Sequence, residues 1–553
     1  MYVGNNIYYR KWRRILSYWE RVNIPGPTPV PLYGNVLALS LNPRPYLELK
    51  WYKKYGRIYG VYIYGKPSLR VAEPALIKQI LVKNFTSFKN REAPSWNATL
   101  MSKMLIRAPY EDWRRIRVIA GPAFTGGKLK HLYPLVDQCC RDLVNRLDSR
   151  VAANGSPVAL RPLISEYIMS ALGQCAFSTK VNTDPTHLFT TEPEGYVSVP
   201  LWNVFVTNVL PACLVDNPVA NSLAKWWHSD YLYHRVFTTR LMADRRCDDA
   251  DKRHDFLQFL MKGSHRSASA AHPDVTGITD EEIFAQCFLF FIAGYDPTAN
   301  TVSHALHELA LNPDIQDRLR EETAINGYRD RNYERLSQLP LLDAVVSETL
   351  RKYPPLVRVE REAVEDVVLT DDTQGLSVKV EKGVVIEVPV YAIHHDLDHY
   401  PDPFAFKPDR FLPQNRHHIK PYTYLPFGDG PRNCIGMRFG LLMTKLALDY
   451  TAMLYVNHNS GNSSEKRTSG QPTCNCPFSM EKLHCIQVQW SSKTKATPLS
   501  PANIAAAFIL ALIAVGYIDE SMTRRLRTPL TRSLSSSTTS LLPAPPIRQL
   551  PVV

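Results

Sequence analysis

The chain has 553 residues, 45% hydrophobic and 10% aromatic, which is enough apolar material for a large buried core and excludes a disordered or collagen-like protein. A net charge of +13 and a pI near 9.1 point to an anionic partner, whether a membrane surface, an acidic protein or nucleic acid. Ten cysteines without regular short spacing exclude a secreted disulfide scaffold and fit a reducing, cytosol-facing setting.

Residues 1–23 are basic and aromatic, with no secretory signal or full-length spanning run expected there. Trp12, Ile15, Leu16 and Trp19 fall at i, i+3, i+4 and i+7, one helical face. Two readings stand side by side: a helix lying in the lipid headgroup layer, or a surface helix packed on the core. IPGPTPVPLYGN, residues 24–35, holds four prolines, which forbid helix and predict a stiff extended hinge. The Tyr-, Val- and Ile-rich stretch 59–72, broken at Gly65-Lys66-Pro67, predicts a β-hairpin, and most of the remainder reads as helix. Residues 200–215 are apolar between prolines, either a buried connection or a second membrane-dipping patch.

The longest helix is predicted to start at a capping box, Thr279 to Glu282, and to end near Leu311-Asn312-Pro313. Roughly thirty residues at 1.5 Å each span about 45 Å, the width of a domain. Its apolar middle, FAQCFLFFIAG, requires burial. Beyond Asp449 the composition turns polar over 449–503, a short apolar run occupies 504–518, and the Ser/Pro-rich tail 519–553 reads as disordered. Cys474, Cys476, His484 and Cys485 lack a second well-spaced ligand pair, so no zinc site is expected.

The strongest constellation is FGDGPRNCIG, residues 427–436, followed by a helical pattern. Cys434 stands at a loop-to-helix junction, where backbone N–H groups and the helix dipole favour a thiolate. Such a sulfur suits iron and pushes electron density onto it. Gly430 and Gly436 permit close approach to a flat macrocycle, Arg432 can reach a carboxylate, and Phe427 supplies an apolar wall.

Phe427, Gly430, Arg432, Cys434 and Gly436 match FxxGxRxCxG, and here the chain resembles the cytochromes P450. Other matches follow in that family's order. Glu348 and Arg351 fit its ExxR motif, with Arg410 in PDRF as the third member. Trp113 and Arg117 in WRRIR, and Arg361, resemble its partners of the haem propionates. Ala293-Gly294-Tyr295-Asp296-Pro297-Thr298 resembles its oxygen-binding motif, in which small residues form a groove and an acid and an alcohol relay protons. This sequence departs from it: Pro297 occupies the alcohol position, and Thr298 lies about 100° further round the helix.

The likeness covers residues 24–448 and is greatest to clan 3, which includes subfamily 3A and thromboxane synthase. It implies a mainly α fold with small β-sheets (α+β), with haem b (iron protoporphyrin IX) buried between the long distal helix and the loop of its axial ligand Cys434. It further implies catalytic roles for Asp296 and Thr298 and cofactor contacts from Trp113, Arg117, Ala293, Gly294, Arg361, Phe427, Gly430, Arg432 and Gly436. The activity implied is monooxygenation of an apolar small molecule, xenobiotic, steroid or fatty-acid-like. Electrons would come from NADPH through cytochrome P450 reductase, with cytochrome b5 as a second donor, at the cytosolic face of the endoplasmic reticulum membrane; nucleic acid is not an expected partner. Two alternatives are an isomerase of endoperoxides or hydroperoxides, encouraged by Pro297, and a non-catalytic haem binder, encouraged by the divergent C-terminus.

Overall fold

A computed structural model describes residues 14–30, 33–63, 65–92, 98–154, 158–179, 229–247, 255–264, 277–324, 331–371, 373 and 375–454. All fall in one compact unit, Met1–Thr473. The apolar stretches at 200–215 and 504–518, and the cysteines from Cys474 on, lie outside these residues.

The expected hairpin forms from β1 (Ile58–Ile63) and β2 (Lys66–Val71), with Tyr62 opposite Pro67. Pro67 is tolerated because it precedes Ser68, where pairing of β2 with the next strand begins. Two later strands, β3 (Val359–Glu362) and β6 (Val385–Val388), complete a four-stranded sheet in the order β1-β2-β6-β3. The β2/β6 pair is parallel and the others antiparallel. Between them β4 (Val367–Asp371) and β5 (Leu376–Val380) form a separate hairpin. One apolar core, including Tyr59, Val61, Leu69 and Ile386, belongs to this β region.

A larger core belongs to the helices. The longer helices are α1 (Arg44–Tyr55), α2 (Tyr110–Ala120), α3 (Gly126–Asn154), α4 (Leu160–Phe177), α5 (Ser229–Cys247), α6 (Phe256–Ser264), α7 (Asp280–Leu311), α8 (Pro313–Ala324), α9 (Pro340–Lys352) and α11 (Met437–Leu454), with a short α10 (Val390–His394); α1 and α10 pack on the β-region core instead. α7 has the predicted bounds. Its capping box is present, Glu282 N–H donating 3.3 Å to Thr279 Oγ1 and Thr279 N–H donating 2.8 Å to Glu282 Oε2. α7 packs on α4, α6, α9 and α11, so its apolar middle is satisfied on several sides, as a helix hydrophobic all round requires.

At the N-terminus Trp19 follows the packed-helix reading, while the expected hinge changes. Trp19 is 3% exposed: its indole N–H donates 3.0 Å to the Val61 carbonyl, and its ring covers Gly60, where a Cβ would stand 2.2 Å away. That residue therefore serves the core, because a flat ring finds a fitted slot over a glycine in the sheet. The proline-rich stretch is no free hinge. Gly60 N–H donates to the Pro25 carbonyl at 2.8 Å, and the Asn35 side chain bonds the carbonyls of Pro27 and Thr28 and the amide of Tyr62. Prolines lack donors but keep their carbonyls, which β1 and Asn35 use. No helix among the described residues is long and apolar enough to cross a membrane.

Candidate active site

The loop before α11 is built by two left-handed glycines, Gly428 (φ 67°) and Gly430 (φ 73°). A Cβ on Gly430 would lie 1.9 Å from the Leu81 carbonyl oxygen, so glycine is required both for conformation and for space. Gly436 is less constrained, with only Phe124 in reach at 3.9 Å. The loop closes when Cys434 N–H donates 2.9 Å to the Phe427 carbonyl, and Phe427 packs against the helical core.

The Cys434 side chain is accessible, between the buried Arg432 and the half-buried Ile435. Burial pushes its thiol above the usual value, while the Gly436 amide, Arg117 and Arg91 pull it down. An iron cation bound at this sulfur would favour its thiolate form.

Four guanidiniums surround this sulfur's loop. Arg432 is buried, donates 2.9 Å to the Ala108 carbonyl and lies 4.7 Å over the Trp113 ring. Arg361, 1% exposed, donates only to the Glu360 carbonyl at 2.7 Å. Arg117 on α2 grips Asn433 at its carbonyl and side-chain oxygen. Arg91 donates to the carbonyls of Ile106 and Arg432 at 3.3 Å each. Burial, reinforced by repulsion from Arg91, pushes Arg361 and Arg432 down to about 9. Among the described residues none of the four forms an ion pair, and Arg361 Nε and Nη2, Arg432 Nε and Nη1, and Arg91 Nε are buried without a partner. Concentrated buried positive charge with idle donors calls for anionic oxygens, and the two carboxylates of a porphyrin beside a sulfur ligand fit that demand. Sequence reasoning misses Arg91, since a lone arginine in an irregular loop carries no local signal.

Behind the loop, Glu348 and Arg351 on α9 form a fully buried bidentate pair at 2.7 and 2.8 Å. Arg410 Nε stands 3.6 Å from Glu348 Oε1, while its Nη2 donates to the carbonyls of Pro401 and Asp402. Glu348 Oε1 further accepts from the Lys407 amide at 2.9 Å. The three charges read from sequence thus meet.

In the middle of α7, Ala293 is exposed between the half-buried Ile292 and Gly294. Gly294 serves helix packing instead, since a Cβ there would meet Leu172 of α4 at 2.7 Å. Asp296 is held by Arg161 (3.1 Å) and Asn300 (3.0 Å). The helix runs unbroken through Pro297, so Thr298 is not swung inward. It is buried, its Oγ1 4.0 Å from where Gly440 of α11 would carry a Cβ. The relay role expected of Thr298 therefore finds no geometric support.

The family description "Cytochrome P450" matches residues 24–453. The chain belongs to the cytochrome P450 family. Relatives include cytochrome P450 3A31 of Mesocricetus auratus, 34% identical over 445 residues, which is 80% of this chain and 86% of the relative. Cytochrome P450 3A1 of Rattus norvegicus is 34% identical over 442 residues, 79% of this chain and 85% of the relative, and cytochrome P450 3A5 of Homo sapiens is 34% identical over 443, with the same shares of 79% and 85%. The chain is thus a P450 monooxygenase with the P450 α+β fold, and its cofactor is haem b bound through a cysteine thiolate. The family match extends past the expected limit of 448, as does α11, which runs to Leu454. Asp449 explains why: it is fully buried and paired with Arg331 and Arg335, so a polar letter there does not end the fold.

Proposed function

We propose that Cys434 is the iron ligand of a monooxygenase acting on an apolar small molecule of xenobiotic, steroid or fatty-acid-like kind. The observation that carries this reading is the set of partnerless buried donors on Arg91, Arg361 and Arg432 beside Cys434. These arginines, with Arg117 and Trp113, hold the propionates. Phe427, Gly430 and Gly436 shape the proximal floor, and Ala293 borders the oxygen side. Bound haem supplies oxygen activation at its iron. Asp296, whose side chain is 30% exposed, is the acid of this helix placed to take protons from solvent, with Arg161 and Asn300 fixing its oxygens.

Electrons come from NADPH through a flavoprotein reductase, with cytochrome b5 as an alternative donor, and the net charge of +13 favours acidic donors and anionic lipid. The likeness to subfamily 3A supports a setting on the cytosolic face of the endoplasmic reticulum.

A second reading, rearrangement of an endoperoxide or hydroperoxide, is favoured by Pro297. A substrate that brings its own O–O bond needs no alcohol to deliver protons.

The test is the reduced, carbon-monoxide-bound difference spectrum of the purified chain and of Cys434→Ala. A strongly red-shifted Soret band lost on substitution supports the assignment. Retention of the band in Cys434→Ala refutes it. NADPH consumption separates the two reactions, because rearrangement proceeds without reductase.

A further inference from the structure

The Arg351 carbonyl lies in the last turn of α9 and has no acceptable partner four residues on, since residue 355 is proline. His394, at the end of α10 and 0% exposed, fills that gap: its Nδ1 lies 3.0 Å from the Arg351 carbonyl oxygen. Arg351 reciprocates, donating from Nη1 to the His394 carbonyl at 2.8 Å. On its other edge, His394 Nε2 lies 2.9 Å from the Leu425 backbone nitrogen. A main-chain N–H only donates, so Nε2 is the acceptor and the proton sits on Nδ1, facing a carbonyl that only accepts. The geometry leaves one tautomer.

Leu425 opens the cysteine loop. Its carbonyl accepts from Gly428 N–H at 3.1 Å, and Phe427 within that turn accepts from Cys434 N–H at 2.9 Å. A continuous hydrogen-bonded path thus runs from the buried Glu348-Arg351 pair through one imidazole to the turn that bonds the ligand cysteine. The ring is clamped by Tyr424, stacked at 5.6 Å, and by the edge of Tyr400 at 6.3 Å. The Arg351 guanidinium and His395 are the charged or titratable neighbours that, with burial, disfavour an imidazolium.

We propose that His394 is a positioning residue that sets the register of the cysteine loop against α9 and so keeps Cys434 on the iron. This rests on Cys434 being the ligand. Three variants of the haem-loaded full chain separate the contributions. His394→Gln carries an acceptor to Leu425. His394→Asn offers a donor to Arg351 but stops short of Leu425. His394→Phe keeps the ring and neither bond.

The readout is the rate at which the red-shifted carbon-monoxide band decays, measured where far-ultraviolet circular dichroism shows each variant folded. Asn and Phe are expected to lose the band at least ten times faster than wild type, and Gln within about twofold of it. A band as durable in Asn as in wild type overturns the proposal, and Asn decides if Phe does not fold. Cys434→Ser serves as control: if it keeps the band, the ligand assignment fails, whereas its loss beside unchanged histidine variants refutes only the role of His394.

Discussion

Arg117 donates 2.9 Å to the Asn433 carbonyl and 2.8 Å to its side-chain oxygen, tying α2 to the residue next to Cys434. A planar fork makes two bonds at once, which lysine cannot do. Arg117→Lys is therefore expected to hold haem about tenfold more weakly, the equivalent of about 1.4 kcal/mol, measured by the rate of haem transfer to an acceptor protein. Transfer as slow as in wild type would show that the fork is dispensable.

Glu348 and Arg351 are both fully buried. Removing one partner leaves an uncompensated buried charge and costs about 3–5 kcal/mol. Glu348→Gln also weakens the acceptor of the Lys407 amide. The expected result is a chain that accumulates without haem, read as the ratio of Soret to protein absorbance.

Gly430→Ala adds a Cβ that collides with the Leu81 carbonyl at a positive φ. Strain of this kind costs about 1–3 kcal/mol before the backbone clash is counted. Gly436→Ala meets only Phe124 at 3.9 Å and is expected to be the milder of the two, with thermal unfolding of the haem-loaded proteins giving the order.

Burial lowers His395 to about 4 and also drives His394 well below its usual value. Both are neutral in the folded chain while their unfolded counterparts take up protons below about pH 6.5. Stability is then complete above pH 6.5 and is lost as the pH falls toward 4, by about 3 kcal/mol for His395 alone. Urea midpoints measured across this range in wild type and His395→Gln test it, with the variant expected to show the shallower acid loss.

Pro297→Thr restores an alcohol on the helical position beside Ala293 and removes a proline from the interior of α7. For a monooxygenase, product formed per NADPH consumed is expected to rise at least twofold. An unchanged ratio would mean that protons arrive by a route independent of that position, such as Asp296.

Local chemistry makes much of this protein legible in its sequence. The capping box and the Asn312-Pro313 terminus give α7 its bounds, because caps and proline act within a few residues. The hairpin follows from β-branched and aromatic residues flanking Gly65-Lys66-Pro67. The fixed spacing around Cys434 reveals the ligand loop, since a tight loop must keep its glycines and its sulfur in step.

Other features depend on partners distant in the chain. Trp19 reads equally as part of a membrane face or of a packed helix until Gly60 offers it a slot. Gly294 reads as part of an oxygen groove until Leu172 fills the space beside it. Arg91 and His394 carry no local pattern; the one matters because three other guanidiniums converge near it, the other because Arg351 and Leu425 lie at its two nitrogens. Periodicity and spacing are properties of neighbours in sequence, so they specify helices, turns and a metal-ligand loop. Desolvation, charge crowding and the direction a side chain faces arise only when remote segments close on one another, and here they decide which polar groups serve the site and which serve the core.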